Sequence, residues 1–184
     1  MIFLLLGGSK SGKSHLAQSI SSELACGGSL VYWATMEPTD DEDRVRIENH
    51  LIDRCGLGFE TVECGRNLLS SADQIIGSAC VLFDSLTAVL ANEMFCCENG
   101  FDESAPLRLV ADLTKLAGLT ENIVFVCDDI FRDGMVYDEW TEIYRKGLAF
   151  ICRSIAEICD VVIEVVSGIT VLHKGAEKMV KISQ

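Results

Sequence analysis

Apolar runs of four or five residues punctuate the chain at 2–6, 30–34, 80–83, 123–127 and 161–165, interrupted only by Glu164 in the last. None alternates between apolar and polar, so each predicts a strand covered on both faces, as in a parallel sheet between two helical layers. A sixth piece at 170–174 follows the Ser167-Gly168 turn closely enough to fold back as an antiparallel edge strand. The stretches between the runs carry helical spacing. Residues 14–25 place Leu16, Ile20 and Leu24 four apart on one face. Residues 40–54 are strongly charged and hold only Val45, Ile47 and Leu51 as an apolar stripe, which predicts a mostly exposed helix. Further helices are expected at 86–95, 107–116 and 143–158, with Gly118 a stop signal. Strand and helix alternate without repeats, low-complexity tracts or Pro/Gly-rich linkers. The predicted fold class is therefore α/β, a three-layer fold around a mostly parallel sheet with an antiparallel C-terminal edge strand. Residues 1–184 read as a single domain, since that length suits one α/β unit with a sizeable core.

Composition narrows the partners. The formal net charge is −13, so a polyanion would approach against the mean field of the protein, and nucleic acid is not expected as a partner. A nucleotide is still compatible, because a local nest of N–H groups with a lysine and Mg²⁺ outweighs acidic groups screened beyond about 10 Å. The opening Met-Ile-Phe-Leu-Leu-Leu has no basic flank and runs directly into Gly7-Gly8, too short for a signal peptide or a membrane span. It reads as a buried strand. Nine cysteines are scattered without a C-x-x-C pair, which points to a reducing compartment rather than to disulfides or zinc. Cys26, Cys80, Cys127, Cys152 and Cys159 are expected as small core hydrophobes, and the adjacent Cys96 and Cys97 carry no assigned role.

The chemistry begins at Gly7-Gly8-Ser9-Lys10-Ser11-Gly12-Lys13-Ser14, which fits G-x-x-x-x-G-K-[ST] between a predicted strand and a predicted helix. Gly7 and Gly12 let the backbone curl with its N–H groups inward, the helix beginning near Lys13 adds its positive end, and Lys13 reaches the β and γ phosphates. Ser14 supplies a hydroxyl for Mg²⁺. Asp84, directly after the run at 80–83, stands where a Walker B carboxylate would complete that metal site, although it or Ser85 would equally serve as an N-cap for the next helix. Asp128 and Asp129 follow the next strand and are expected to face the same ligand crevice, where they would orient water, accept a proton, hold metal or simply be solvated. Of the three histidines, His15, His50 and His173, the second stands out, because Arg46, His50 and Arg54 recur every four residues along one helical face. Spacing alone leaves two readings open. Either the face recognises a triphosphate and His50 attacks phosphorus to form a phosphoramidate, or His50 is incidental on an exposed charged helix.

Taken together these residues resemble the bifunctional adenosylcobinamide kinase and adenosylcobinamide-phosphate guanylyltransferase family of cobalamin biosynthesis. The resemblance rests on the Gly7–Ser14 loop, Val31-Tyr32-Trp33-Ala34-Thr35, and Asp40-Asp41-Glu42 leading to Arg46-Ile47-x-x-His50-x-x-x-Arg54. Thr61-Val62-Glu63, Asp84-Ser85-Leu86-Thr87 with Asn92, and Val165-Val166-Ser167-Gly168 continue it in order. The resemblance implies a RecA-like P-loop fold, a cytoplasmic homotrimer, and GTP and ATP as substrates with Mg²⁺. It further implies that His50 takes GMP from GTP, that Lys13 and Asp84 assist catalysis, and that Ser14 and Asp84 hold the metal. Gly7 to Ser14, Ala34, Thr35, Arg46, Arg54, Glu63 and Asp84 would then line the nucleotide. The implied chemistry is phosphorylation of the adenosylcobinamide hydroxyl, then guanylyl transfer to that phosphate. The last third departs from the family: Asp128-Asp129 replaces Asn-Glu, and Ala149, Cys152 and Arg153 replace the later Gly and Asn-Gln, while Tyr144-Arg145 remains. Readings that keep the loop and His50 but not this substrate are a kinase or nucleotidyltransferase for another small alcohol, or a non-catalytic nucleotide-binding subunit.

Overall fold

The computed structural model describes residues 1–38, 40–95, 101–132 and 134–179. Its strands are β1 (Ile2–Gly7), β2 (Leu30–Ala34), β3 (Phe59–Glu63), β4 (Cys80–Asp84), β5 (Ile123–Asp128), β6 (Val161–Val166) and β7 (Ile169–Lys174). They form one sheet in the order β3-β2-β4-β5-β1-β6-β7. The pairs from β3 through β6 are parallel and β7 alone runs antiparallel, on β6. The helices are α1 (Lys13–Ala25), α2 (Asp41–Asp53), α3 (Leu86–Met94), α4 (Ala105–Ala117), α5 (Glu139–Ile158) and α6 (Ala176–Met179), with a 3₁₀ helix at Leu68–Ile75.

The apolar runs are explained by cover on both faces. Phe3, Leu5, Leu82 and Val124 meet Ala17 and Ile20 of α1 on one side. Leu4, Trp33, Phe83 and Phe125 meet Leu86, Leu109, Leu113, Leu148, Ile151 and Ile155 of α3, α4 and α5 on the other. Within this second layer Trp33, Phe83 and Phe125 run across three neighbouring strands, with ring centroids 5.9 and 5.6 Å apart. Six of the seven strands fall within a residue of their predicted limits. The edge strand β3 escaped prediction, since only Val62 of its five residues is buried and no apolar run marks it.

Two expectations are corrected. Cys26 is exposed rather than a core residue, because α1 ends at Ala25 and Cys26 turns away in the left-handed conformation of its C-cap. Arg54 is not part of an exposed face; it lies just past the end of α2 and is only 7% exposed. Among the described side chains of α2, Asp41, Arg44 and Glu48 are exposed as the charge predicts, and Val45 and Leu51 of the apolar stripe are exposed with them, as is Ile52. Cys80, Cys127, Cys152 and Cys159 are buried, and Cys96 and Cys97 lie outside the described residues. Helix α5 begins four residues earlier than predicted. Asp138 caps it by accepting from the Thr141 N–H, and its polar first turn carries no apolar periodicity to read.

Candidate functional site

Parallel pairing brings the C-terminal ends of β1 to β5 into one row. Gly7 lies level with Asp128, Ala34 with Asp84, and Ala34 with Glu63. The Gly7–Ser14 segment leaves this row and enters α1 through Gly12, whose φ of 95° is a conformation that side chains resist. Gly7 has no room for a side chain: a Cβ there would come within 2.7 Å of both Ser11 Oγ and the Val165 carbonyl. The Ser167-Gly168 turn braces the loop from β6, the Gly168 N–H donating to the Ser11 carbonyl at 3.0 Å. Lys13 is buried, and its ammonium lies 2.6 Å from Asp128 Oδ1 while donating to the Gly8 carbonyl at 3.3 Å. Ser14 sits beside it in the first turn of α1, and Ser11 Oγ is buried without a partner among the described residues.

A second part of the row lies further along the sheet, where a cavity of about 490 Å³ is lined by Tyr32, Ala34, Ile47, His50, Arg54, Glu63 and Asp84, among others. Five of the sequence-predicted site residues therefore meet here: Ala34, His50, Arg54, Glu63 and Asp84. Gly7 to Ser14 stand apart from it, since β5 separates β1 from β4 and two strand spacings amount to about 9–10 Å. The side chain of Arg46 lies outside the described residues, His15 is exposed, and His173 lies on β7. Thr35 faces inward. It is fully buried, its hydroxyl donates to the Ser85 carbonyl at 3.0 Å and accepts from the Ser85 N–H at 2.7 Å, and Asn92 holds its carbonyl at 2.7 Å. Thr35 thus joins the ends of β2 and β4 beneath the cavity.

The cavity wall contains a stack that apolar patterning concealed. The Arg54 guanidinium lies 3.4 Å from the centre of the Tyr32 ring, and the Tyr32 hydroxyl donates to Asp84 Oδ2 at 2.8 Å. Burial first, then the charge and hydrogen bond of Asp84, push the Tyr32 phenol well above its ordinary value, against a smaller opposing pull from Arg54. The phenol therefore stays a donor, and Asp84 stays held. Arg54 Nη1 is buried without a partner among the described residues, a donor that an anionic group in the cavity would satisfy. The choice between Ser85 and Asp84 as helix cap is settled by geometry: Ser85 Oγ accepts from the Ala88 N–H at 3.2 Å. Asp84 is thereby left for other chemistry.

Asp128 and Asp129 part company instead of facing one crevice. Asp128 pairs with Lys13, and its N–H donates to Thr87 Oγ1 at 2.9 Å. Asp129 accepts from the Phe131 N–H at 3.2 Å and pairs with Arg132, also at 3.2 Å. Adjacent residues at a strand end point to opposite faces, which is the reason. Arg132 continues to the buried Glu164, which His173 also contacts at 2.8 Å. Sequence patterning missed this cluster, because its members lie on β6, β7 and the loop after β5. Among the described residues no group of three or more His, Cys, Asp or Glu side chains forms a metal site of its own.

The chain is 29% identical over 176 residues to the bifunctional adenosylcobalamin biosynthesis protein CobP of Pseudomonas aeruginosa, covering 94% of this chain and 96% of the relative. It is 27% identical over 186 residues to the bifunctional adenosylcobalamin biosynthesis protein CobU of Salmonella typhimurium, covering 95% and 100%. A solved ATPase domain superposes with a TM-score of 0.52 at 8% identity, covering 89% of this chain and 68% of that domain, and shares the P-loop NTPase fold. The family profile described as cobinamide kinase / cobinamide phosphate guanyltransferase matches residues 3–172, and the chain belongs to that family of two-activity enzymes.

Proposed function

We propose that the chain phosphorylates the hydroxyl of adenosylcobinamide at the expense of a nucleoside triphosphate, ATP or GTP, and then guanylylates the product from GTP through a guanylyl-His50 intermediate. The carrying observation is the cavity that gathers His50, Arg54 and Asp84, with only β5 lying between β4 at its wall and β1, which leads into the loop that holds Lys13. In the first reaction the amides of Gly7 to Ser14 cradle the β and γ phosphates, and Lys13 neutralises charge that develops as the γ-phosphoryl group leaves. In the second a ring nitrogen of His50 bonds to the α-phosphorus of GTP as the bond to pyrophosphate breaks, and the cobinamide phosphate oxygen then displaces the imidazole. Arg54 offers the phosphates its Nη1, which has no partner among the described residues, with Arg46, Ala34 and Glu63 as further nucleotide-side residues, while the buried Thr35 supports the cavity from below.

The residues also fit Mg²⁺. Ser14 stands next to Lys13, and Asp84 gives only Oδ2 to Tyr32 and caps no helix. Two protein ligands with phosphate oxygens and water suit this ion, which when bound would neutralise phosphate charge. Residues 1–184 act in this reading as one transferase domain, assembled as a homotrimer in the cytoplasm. The exposed apolar residues Val45, Leu51 and Ile52 of α2 support such an assembly. Among the described residues no helix is long and apolar enough to cross a membrane.

The test is to incubate the protein with α-labelled GTP and Mg²⁺, denature it, and look for label that is acid-labile and alkali-stable, as a phosphoramidate is. Wild-type protein is expected to carry the label and His50→Ala to lack it. Unlabelled wild-type protein under turnover conditions rejects the guanylyl-His50 step.

A further inference from the structure

We infer that Asp128 is the general base of phosphoryl transfer, held by Lys13 until a triphosphate claims the lysine. This rests on the kinase half of the function proposed above and assigns its missing proton acceptor. The Lys13 ammonium is 2.6 Å from Asp128 Oδ1. A P-loop lysine reaches the β and γ phosphates, so a bound triphosphate takes up the same ammonium and sets the γ-phosphorus about 5–6 Å from the Asp128 carboxylate. That interval accommodates one hydroxyl group, which needs about 3–3.5 Å to the phosphorus it attacks and about 2.7 Å to the base that receives its proton.

The backbone at this position is fixed. The Asp128 N–H donates to Thr87 Oγ1 at 2.9 Å, and the Thr87 carbonyl accepts from the Tyr144 hydroxyl at 2.9 Å. The Asp128 side chain is 35% exposed, open enough to meet a substrate. Other described carboxylates near the loop have other engagements. Asp129 is tied to Arg132 and the Phe131 N–H, Glu164 to Arg132 and His173, and Asp84 lies beyond β5 under Tyr32. Asp128 alone among these is paired with a cation that the substrate itself removes. The step balances: the acceptor O–H proton passes to Asp128, the oxygen electron pair bonds to the γ-phosphorus, and the bond from γ-phosphorus to the bridging oxygen breaks towards the nucleoside diphosphate. Arrival of the triphosphate thus frees the base, which links activation of the hydroxyl to the presence of the donor.

The test compares wild-type protein with the isosteric Asp128→Asn and with Asp128→Ser, each checked for folding by thermal unfolding. ATP affinity is measured by calorimetry, and adenosylcobinamide phosphorylation by steady-state kinetics. Removing the carboxylate is expected to tighten ATP binding several-fold, because Lys13 loses a competing partner, and to lower kcat by about 10²–10⁴-fold with little change in the KM for adenosylcobinamide. Tighter ATP binding with kcat within threefold of wild type overturns the proposal and leaves Asp128 as a counter-ion of Lys13, the kinase reading being unharmed. Wild-type protein that binds ATP but phosphorylates no adenosylcobinamide overturns the kinase reading, and this inference with it.

Discussion

Tyr32 is an apolar residue by position and a polar one by contact. Its ring belongs to the core beside α1 and carries the Arg54 guanidinium, while its hydroxyl restrains Asp84. Tyr32→Phe keeps the stack and deletes only the bond to the carboxylate. Replacing a single hydrogen bond to a charged group costs about 1.5–3 kcal/mol of whatever it orients, and here the orientation is that of a proposed Mg²⁺ ligand. Steady-state assays across a Mg²⁺ titration should show kcat/KM reduced about tenfold or more at limiting metal and partly recovered at high metal. Unchanged Mg²⁺ dependence would separate Asp84 from the metal. The Gly7–Ser14 turn between β1 and α1 was legible in the sequence because it depends on neighbours within one loop, whereas spacing alone left His50 open and only the resemblance gave it a role. The pairs Tyr32 with Asp84 and Lys13 with Asp128 were not legible, since they arise from strands 52 residues apart in the first case and from β5 lying beside β1 in the second.

Helix α3 shows how an element secures a site to whose wall it gives Ala88. Ser85 caps it by accepting from the Ala88 N–H, while the Ser85 backbone grips Thr35 just past β2 and Asn92, in the last turn of the helix, holds the Thr35 and Gly65 carbonyls. Ser85→Ala removes the cap and keeps the backbone grip. A loss of about 1 kcal/mol follows for a Ser cap, which in a chain of this length lowers Tm by about 2–4 °C. Calorimetry measures it, and an unchanged Tm would assign the end of β4 a different support. The elements themselves divide by how their burial is written. Strands β1, β4, β5 and β6 were legible because sheet cover makes nearly every position apolar, Glu164 and the terminal Asp84 and Asp128 being the exceptions. Strand β3 was hidden by its exposed edge, and the first turn of α5 by a cap and two glutamates in place of apolar spacing.

At the scale of the whole molecule, a net charge of −13 must be reconciled with the phosphate binding proposed for the strand ends, and the arrangement of ion pairs does this by giving acidic groups local cations. Glu164 is the clearest case. From β6 it meets His173 on β7 and Arg132 in the loop after β5, joining the edge hairpin to the segment that carries Asp128 and Asp129. The His173 hydrogen bond first, then the Arg132 charge, hold its carboxyl below the ordinary value of 4.5. A carboxyl with a depressed folded pKa binds protons less readily than the unfolded chain does. Its contribution to stability is therefore fully present above about pH 4.5 and is lost as pH falls through the lower folded value. Glu164→Gln should lower Tm near neutral pH by an amount equivalent to about 1 kcal/mol, less than for a fully buried pair because Arg132 and His173 are half exposed or more. The deficit should shrink below pH 4.5, where wild-type protein also loses the charge, and thermal unfolding from pH 7 to pH 3 follows it. A deficit that stays constant over that range would mean that Glu164 acts through its shape and not its charge, and would leave the edge hairpin held to the candidate site by backbone pairing alone.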